Sequence, residues 1–465
     1  YMAILNPRVP GKTGTSRLST PPGPRNLHPI RSALAFQRDP LIFLTRQVKD
    51  YGDISQFHLL HLPIIVINHP EYVKHVLQDN NANYDKDVFL FKTVRPLFGN
   101  GLVTAVGGED WLRQRRLIQP VFHRQRIAAF GSLMTQAAEE MLERWHGRVD
   151  QAAPLDLSEE VSHILLQVVC KALLNIDSST EQARVFSGAF IEGSRILANF
   201  ARLPFPPLTF PTARNRRFWA EIHKMDEIVY ALIQQRRESK EDAGDLLTML
   251  MQAVDEETGE GMSDRQLRDE LITIMVAGHE TGSNGLSWTC YLLAQHPEIE
   301  QRLYAEVDQV LGGRVPTIDD LPRLTYTRMV LDEALRYYSP AWQLMRRARQ
   351  EDQMGGYRIP ANATIFWSTY VLHRHPDFWE KPEEFYPEHF LPEQVAQRPR
   401  NAYVPFSNGP RICIGQSFAM TEMMLILATI IQKYRLELVP EHVVTLEPLL
   451  TLRPAKGLLM RAYPR

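Results

Sequence analysis

Apolar positions recur at helical spacing through the middle of the chain and at strand-like spacing nearer its two ends. Leu41–Tyr51 is amphipathic and stops at Gly52, which predicts a helix. Ile54–Leu60 and Leu62–Asn68, split by Pro63, predict a strand pair, and Pro70 suits the first position of the next helix. Helical periodicity then dominates from about 108 to 338, with long stretches at 130–150, 158–174, 214–238, 264–296 and 297–311. Strand signals return over 343–368, where Gly355-Gly356 marks a turn and Ile359-Pro360 an extended segment. Residues 376–410 are rich in proline and aromatics and read as an ordered meander. A last helix is expected over 416–433, followed by strand-like pieces.

No internal repeat or low-complexity linker divides this pattern. It predicts a mainly α protein, with a large α-rich lobe and a small β lobe built from distant segments, as a single domain over 21–465. Residues 1–20 are small, polar and basic and read as a flexible lead-in, ahead of the stiff Pro21-Pro22-Gly23-Pro24. Their one apolar cluster, Met2–Leu5, is too short for a signal or a membrane span. Met2 reads as the native start, with Tyr1 left over, so the expectation is a cytoplasmic protein with no membrane anchor.

Composition narrows the function. Hydrophobic residues are 44% and charged residues 23% of 465, ordinary globular values. Lys+Arg number 52 against 54 Asp+Glu, a net charge of −2, which argues against nucleic acid as a partner. The three cysteines, Cys170, Cys290 and Cys413, are too few and too scattered for a disulfide framework, and no C-x-x-C suggests zinc.

One cysteine has a suggestive setting. Residues 406–415 read Phe-Ser-Asn-Gly-Pro-Arg-Ile-Cys-Ile-Gly. Gly409, Pro410 and Gly415 allow a sharp turn close to a flat ligand. Cys413 sits between branched apolar residues just before a helix start, where amide groups favour a thiolate. A buried structural cysteine has the same local features. The five positions Phe406, Gly409, Arg411, Cys413 and Gly415, however, match F-x-x-G-x-R-x-C-x-G, and the chain is identified by them as resembling the cytochrome P-450 superfamily. The resemblance runs from the proline-rich entry to the C-terminus. It implies the cytochrome P-450 fold and haem b with Cys413 as the axial thiolate.

Further motifs agree. Ser263-Asp264 caps a helix ending near Gln295, whose middle, Ile272–Gly278, is apolar and expected to be buried. Gly278, Gly282 and Gly285 form a small-residue stripe, suited to close helix packing or to the approach of a flat ligand. Ala277-Gly278-His279-Glu280-Thr281 resembles the family's oxygen-activation motif, with Ala277 against the cofactor and Glu280 and Thr281 as an acid and hydroxyl that deliver protons. Glu333 and Arg336 match E-x-x-R, an ion pair bracing the core; Pro387-Glu388-His389-Phe390 resembles P-E-R-F, with His389 where arginine is usual. That departure leaves the third member of the brace open. Trp111 and Arg115 match W-x-x-x-R, which with Arg411 and Arg346 implies propionate binding; Arg347 is the neighbouring alternative and Lys86 a weaker candidate.

Three segments are expected to line a substrate pocket: Phe89–Val103, Leu197–Phe210 and Pro340–Leu344, carrying Phe89, Phe91, Phe98, Phe200, Phe205 and Trp342, with Leu449–Leu452 beside them. Arg113, Arg116, Arg124 and Arg126 read either as a solvated basic face or as a docking patch for an acidic electron donor. The expectation is a monomeric haem-thiolate monooxygenase. It inserts one atom of O2 into a small apolar substrate such as a fatty acid, terpenoid or steroid, with electrons from a separate ferredoxin- or flavin-type protein. The alternatives are a haem-thiolate peroxygenase or isomerase, which needs no proton relay, and a non-catalytic haem sensor.

Overall fold

The computed structural model describes residues 19–24, 29–59, 62–149, 153–177, 180–202, 206–239 and 243–465. Residues 1–18 of the expected lead-in, Leu60 and Phe205 lie outside the described residues.

Five helices frame the site: α1 (Glu109–Ile118), α2 (Leu157–Leu174), α3 (Asp264–Gln295), α4 (Thr325–Tyr337) and α5 (Gln416–Lys433). The Ser263 hydroxyl accepts from the Gln266 amide at 3.3 Å and starts α3; His296-Pro297 ends it. Over its 32 residues α3 is buried on nearly every face, because α2, α4 and α5 all pack against it. The contact is close at the small-residue stripe. A Cβ at Gly282 would meet Leu165 of α2 at 2.6 Å, and one at Gly285 would meet the sulfur of Met423 on α5 at 2.9 Å. The stripe therefore serves helix packing first. Leu165, Leu286, Leu335 and Met423 join one core cluster, and Phe98, Leu173, Phe190 and Met275 a second.

The β lobe is assembled from both ends of the chain, as expected. Its main sheet has the order β1 (Ile54–Leu59), β2 (Leu62–Ile67), β5 (Thr364–Ser368), β4 (Gln343–Ala348) and β3 (Tyr84–Asp85). Only β2 and β5 run parallel. Asp85 opposes Arg347 across β3 and β4, which brings Lys86 beside the arginine pair. The strands Asp352–Met354 and Tyr357–Ile359 close on Gly355 and Gly356 at φ of 56° and 80°, a turn that needs two left-handed residues. A second hairpin, Leu446–Pro448 with Leu452–Pro454, points its turn back toward α3.

Several helices go beyond the predicted stretches, among them Pro29–Arg38, Phe89–Phe98 and Glu181–Arg202. Phe89–Phe98 contains Pro96, and Glu181–Arg202 contains Gly188 and Gly193; these residues weaken the local signal, and burial against the second core cluster overrides them. Among the described residues no helix is long and apolar enough to cross a membrane. The middle of α3 is not buried all round: Ile274, Ala277 and Gly278 face a cavity.

Candidate active site

A cavity of about 400 Å³ opens where α3 passes the loop that carries Cys413. The loop's shape follows from its residues. Gly409 has φ 69°, and a Cβ there would lie 2.0 Å from the Leu77 carbonyl oxygen, so only glycine fits. Ser407 also takes a left-handed φ, 61°. The Cys413 amide then donates to the Phe406 carbonyl at 2.9 Å, and α5 starts at Gln416.

The Cys413 sulfur faces the cavity, with the amides of Gly415 and Gln416 directed at it. Phe122 and Phe418 stand close by on the same wall. Burial raises the thiol's pKa, although those amides and the Arg115 and Lys86 cations pull against it. The amides favour the thiolate, as the sequence suggested, but desolvation is the larger effect. A bound cation would supply the missing stabilisation.

Four cations gather at one end. Lys86 donates to the Val103 carbonyl at 2.9 Å, Arg115 to that of Ile412 at 2.9 Å, Arg346 to that of Met345 at 2.7 Å, and Arg411 to those of Ala105 and Val106 at 3.1 and 2.8 Å. No carboxylate pairs with any of them among the described residues; the nearby Asp85 pairs with Arg347 at 2.6 Å. Burial pushes Arg346 down to about 9 and Arg411 to about 10, and holds Lys86 well below the usual lysine range; mutual repulsion adds to each. Buried cations without anions are costly. The set fits a ligand that brings its own negative groups, which is what a flat dianion facing Cys413 would do. Trp111 lines the same end, and Arg411 lies over its ring at 4.1 Å. Arg346 turns inward and Arg347 outward, as neighbours on a strand must.

Ala277, Glu280 and Thr281 line the cavity from α3. The Thr281 hydroxyl donates to the Ala277 carbonyl at 2.6 Å, so its one proton is used within the helix and it presents lone pairs elsewhere. Glu280 accepts through Oε1 from the Thr451 hydroxyl at 2.6 Å. His279, the residue between, points away: its ring packs on Phe190 and meets Ser162 at 2.8 Å, and burial pushes it down to about 4.

Glu333 and Arg336 are fully buried and form two contacts of 2.7 Å; Arg336 also donates to the carbonyls of His373, Pro382 and Glu384. His389 joins them. Its Nδ1 lies 3.1 and 3.2 Å from the Glu333 oxygens, and its Nε2 meets the Glu380 carbonyl.

Other expectations need correction. Phe91, Phe98, Leu344 and Leu450 line the cavity, but Phe89 is 52% exposed, while Phe200 and Trp342 are buried in packing, the latter donating to the Leu449 carbonyl at 2.9 Å. The basic face is half neutralised: Arg116 pairs with Asp255 at 3.0 Å and Glu257 at 2.9 Å, and Arg113 holds the Glu260 and Gly261 carbonyls. Arg124 and Arg126 remain exposed.

Sequence reasoning also missed three residues. Thr451 was the polar member of an otherwise apolar run, a signal that was there to read. Asn284, which donates to Thr451 at 3.1 Å, carried none. Neither did Glu422 of α5, fully buried, with neither carboxyl oxygen partnered among the described residues and its pKa pushed well above the usual carboxylate range by burial.

Comparison with known proteins agrees with this geometry. A family model described as Cytochrome P450 matches residues 21–461. Cyclooctatin synthase of Streptomyces melanosporofaciens is 36% identical over 93% of this chain and 93% of its own. Pentalenene oxygenase of Streptomyces avermitilis is 33% identical over 94% of this chain and 95% of its own. The crystal structure of the cytochrome P450DA heme domain superposes with a TM-score of 0.86 at 27% identity, covering 96% of this chain and 98% of that one.

Proposed function

The chain belongs to the cytochrome P450 family, oxygen-incorporating oxidoreductases with a haem-thiolate cofactor, and on that premise we propose that it hydroxylates a terpene hydrocarbon. The observation that carries the reading is the cluster of four cations, Arg346 buried and Lys86, Arg115 and Arg411 half-buried, without carboxylate partners among the described residues, set at one end of an apolar cavity that Cys413 faces. It supports haem b, whose two propionates match those cations and whose iron matches the sulfur. When bound, the haem supplies thiolate-assisted activation of O2.

The chain's own residues do the rest. Cys413 would supply the thiolate that holds the haem iron, and Phe406, Gly409 and Gly415 shape its loop. Trp111, Arg115, Arg346, Arg411 and Lys86 would hold the propionates, and Ala277 would border the bound haem. Thr281, its proton committed to Ala277, accepts a hydrogen bond from a cavity water and keeps it in place. Glu280 resupplies protons to that water. Glu333, Arg336 and His389 keep the underlying core rigid. Residues 21–465 act as one haem domain, fed with electrons by a separate ferredoxin- or flavin-type protein.

The cavity walls select the substrate class. Leu90, Phe91, Phe98, Leu102, Ile274 and Leu344 offer apolar contact and few directed polar groups, which suits a hydrocarbon better than an acid or a sugar. The names of the two Streptomyces relatives point the same way. The test is turnover of cyclic sesquiterpene and diterpene hydrocarbons under 18O2. The expected product carries one labelled hydroxyl oxygen. Turnover of fatty acids with no oxidation of any terpene would overturn the substrate class, and label arriving from water would overturn the reaction.

A further inference from the structure

The turn between strands Leu446–Pro448 and Leu452–Pro454 does more than close the cavity. It is held by three hydrogen bonds, one from α3 and two with the segment that leads from α4 into β4. The Trp288 indole donates to the Leu452 carbonyl at 3.0 Å, the Trp342 indole to that of Leu449 at 2.9 Å, and the Leu452 amide to that of Pro340 at 2.9 Å. Two of these donors are indoles of fully or nearly fully buried residues, so the turn has little freedom to shift. Its tip presents two side chains to the cavity, Leu450 and Thr451.

Thr451 is 8% exposed, and its hydroxyl stands between Glu280 and Asn284. The direction of this chain can be worked out. The Asn284 amide nitrogen donates to Thr451 Oγ1 at 3.1 Å, which makes that oxygen an acceptor on one side. A hydroxyl has one proton. It is left to point at Glu280 Oε1, 2.6 Å away. Asn284 lies one helical turn beyond Glu280 on α3, so helix geometry and the bolted turn together fix all three groups. One carboxyl oxygen of Glu280 is thereby occupied, and Oε2 alone is left without a protein partner among the described residues.

We propose that Thr451 is a positioning residue for Glu280: oriented by Asn284, it holds one oxygen of the acid so that the other is presented to cavity water. The inference rests on the reading of Glu280 as the acid of the site. It also links the substrate wall to the proton path, because Leu450 and Thr451 are adjacent on one rigid turn.

The test uses the haem-bound protein and needs no substrate. Infrared difference spectra of wild type against Glu280→Gln identify the Glu280 carboxyl band. Thr451→Val, which removes the hydroxyl at nearly constant shape, is expected to shift that band, while Thr451→Ser leaves it in place. In thermal unfolding, Thr451→Val should lower the midpoint by about 1–3 °C. That loss should shrink by at least half in a Glu280→Ala background, the remainder coming from the stranded Asn284 donor. An unchanged band in Thr451→Val, equal losses in both backgrounds, or a Thr451→Ser protein that behaves like Thr451→Val would each overturn the proposal. None of these readouts involves turnover, so they can fail while Glu280 still proves to deliver protons, and the reverse.

Discussion

His389 faces both carboxylate oxygens of Glu333, at 3.1 and 3.2 Å, in the place where the family pattern has arginine. Its other nitrogen meets the Glu380 carbonyl, so each ring nitrogen points at an acceptor. Trp379 covers the imidazole edge-on at 5.3 Å, and Arg398 stacks on the same indole at 3.8 Å while donating to the His389 carbonyl. The brace therefore survives the substitution, with Arg398 adding positive charge nearby. His389→Ala should cost about 1–3 kcal/mol, since it leaves a buried carboxylate short of a donor. His389→Arg should be tolerated. Thermal unfolding of the haem-bound protein decides it: a His389→Ala midpoint equal to wild type would reject the brace.

Thr281→Ala should uncouple the enzyme. Electron consumption continues, product per electron falls and peroxide rises, because the hydroxyl that holds the proton-bearing water is gone. Glu280→Gln should do the same to a lesser degree. An unchanged product-to-electron ratio in both would remove the relay role from this pair.

Stability should depend on pH through Glu270. This carboxyl of α3 accepts from the Leu102 amide at 2.9 Å beside Asp269, and burial pushes it up to about 8 from an ordinary 4.5. The folded protein thus binds a proton that the unfolded chain releases, so stability falls as pH rises from about 5 to about 8. Denaturant midpoints of Glu270→Gln, which cannot ionise, should lack this part of the decline. Parallel profiles for wild type and variant would contradict the assignment.

The basic face divides into two pairs with different jobs. Arg116→Glu should lower the unfolding midpoint, because Asp255, whose side chain is fully buried, loses its cation. Arg124→Glu with Arg126→Glu should leave the midpoint alone and slow reduction by an acidic donor protein, the more so at low salt. Stopped-flow reduction tests this: a rate unchanged in the Arg124/Arg126 variant would dismiss the docking face.

How far these features were legible depended on whether they were local. The Cys413 loop could be read because its turn, its glycine and its cysteine are fixed within ten residues, and Gly409 shows why one position admits no alternative. Glu280 and Thr281 were legible as neighbours on one helix. Arg346 could be told from Arg347 only by the register of β3 and β4, which hands Arg347 to Asp85. Lys86 gained weight for the same reason. The loss of Arg113 and Arg116 from the docking face came from the loop around Asp255, more than 130 positions away in the chain. Thr451 is 171 residues from Glu280, and no pattern in the sequence joins them.

The central claim is that Cys413 supplies the axial thiolate, and the spectrum of the reduced, CO-treated protein tests it most directly. Wild type should show the long-wavelength Soret band of a thiolate-ligated haem. Cys413→His should still bind haem through the four-cation cluster, yet show the shorter-wavelength band of an imidazole-ligated one. A long-wavelength band that persists in Cys413→His, or its absence from haem-loaded wild type, would contradict the account.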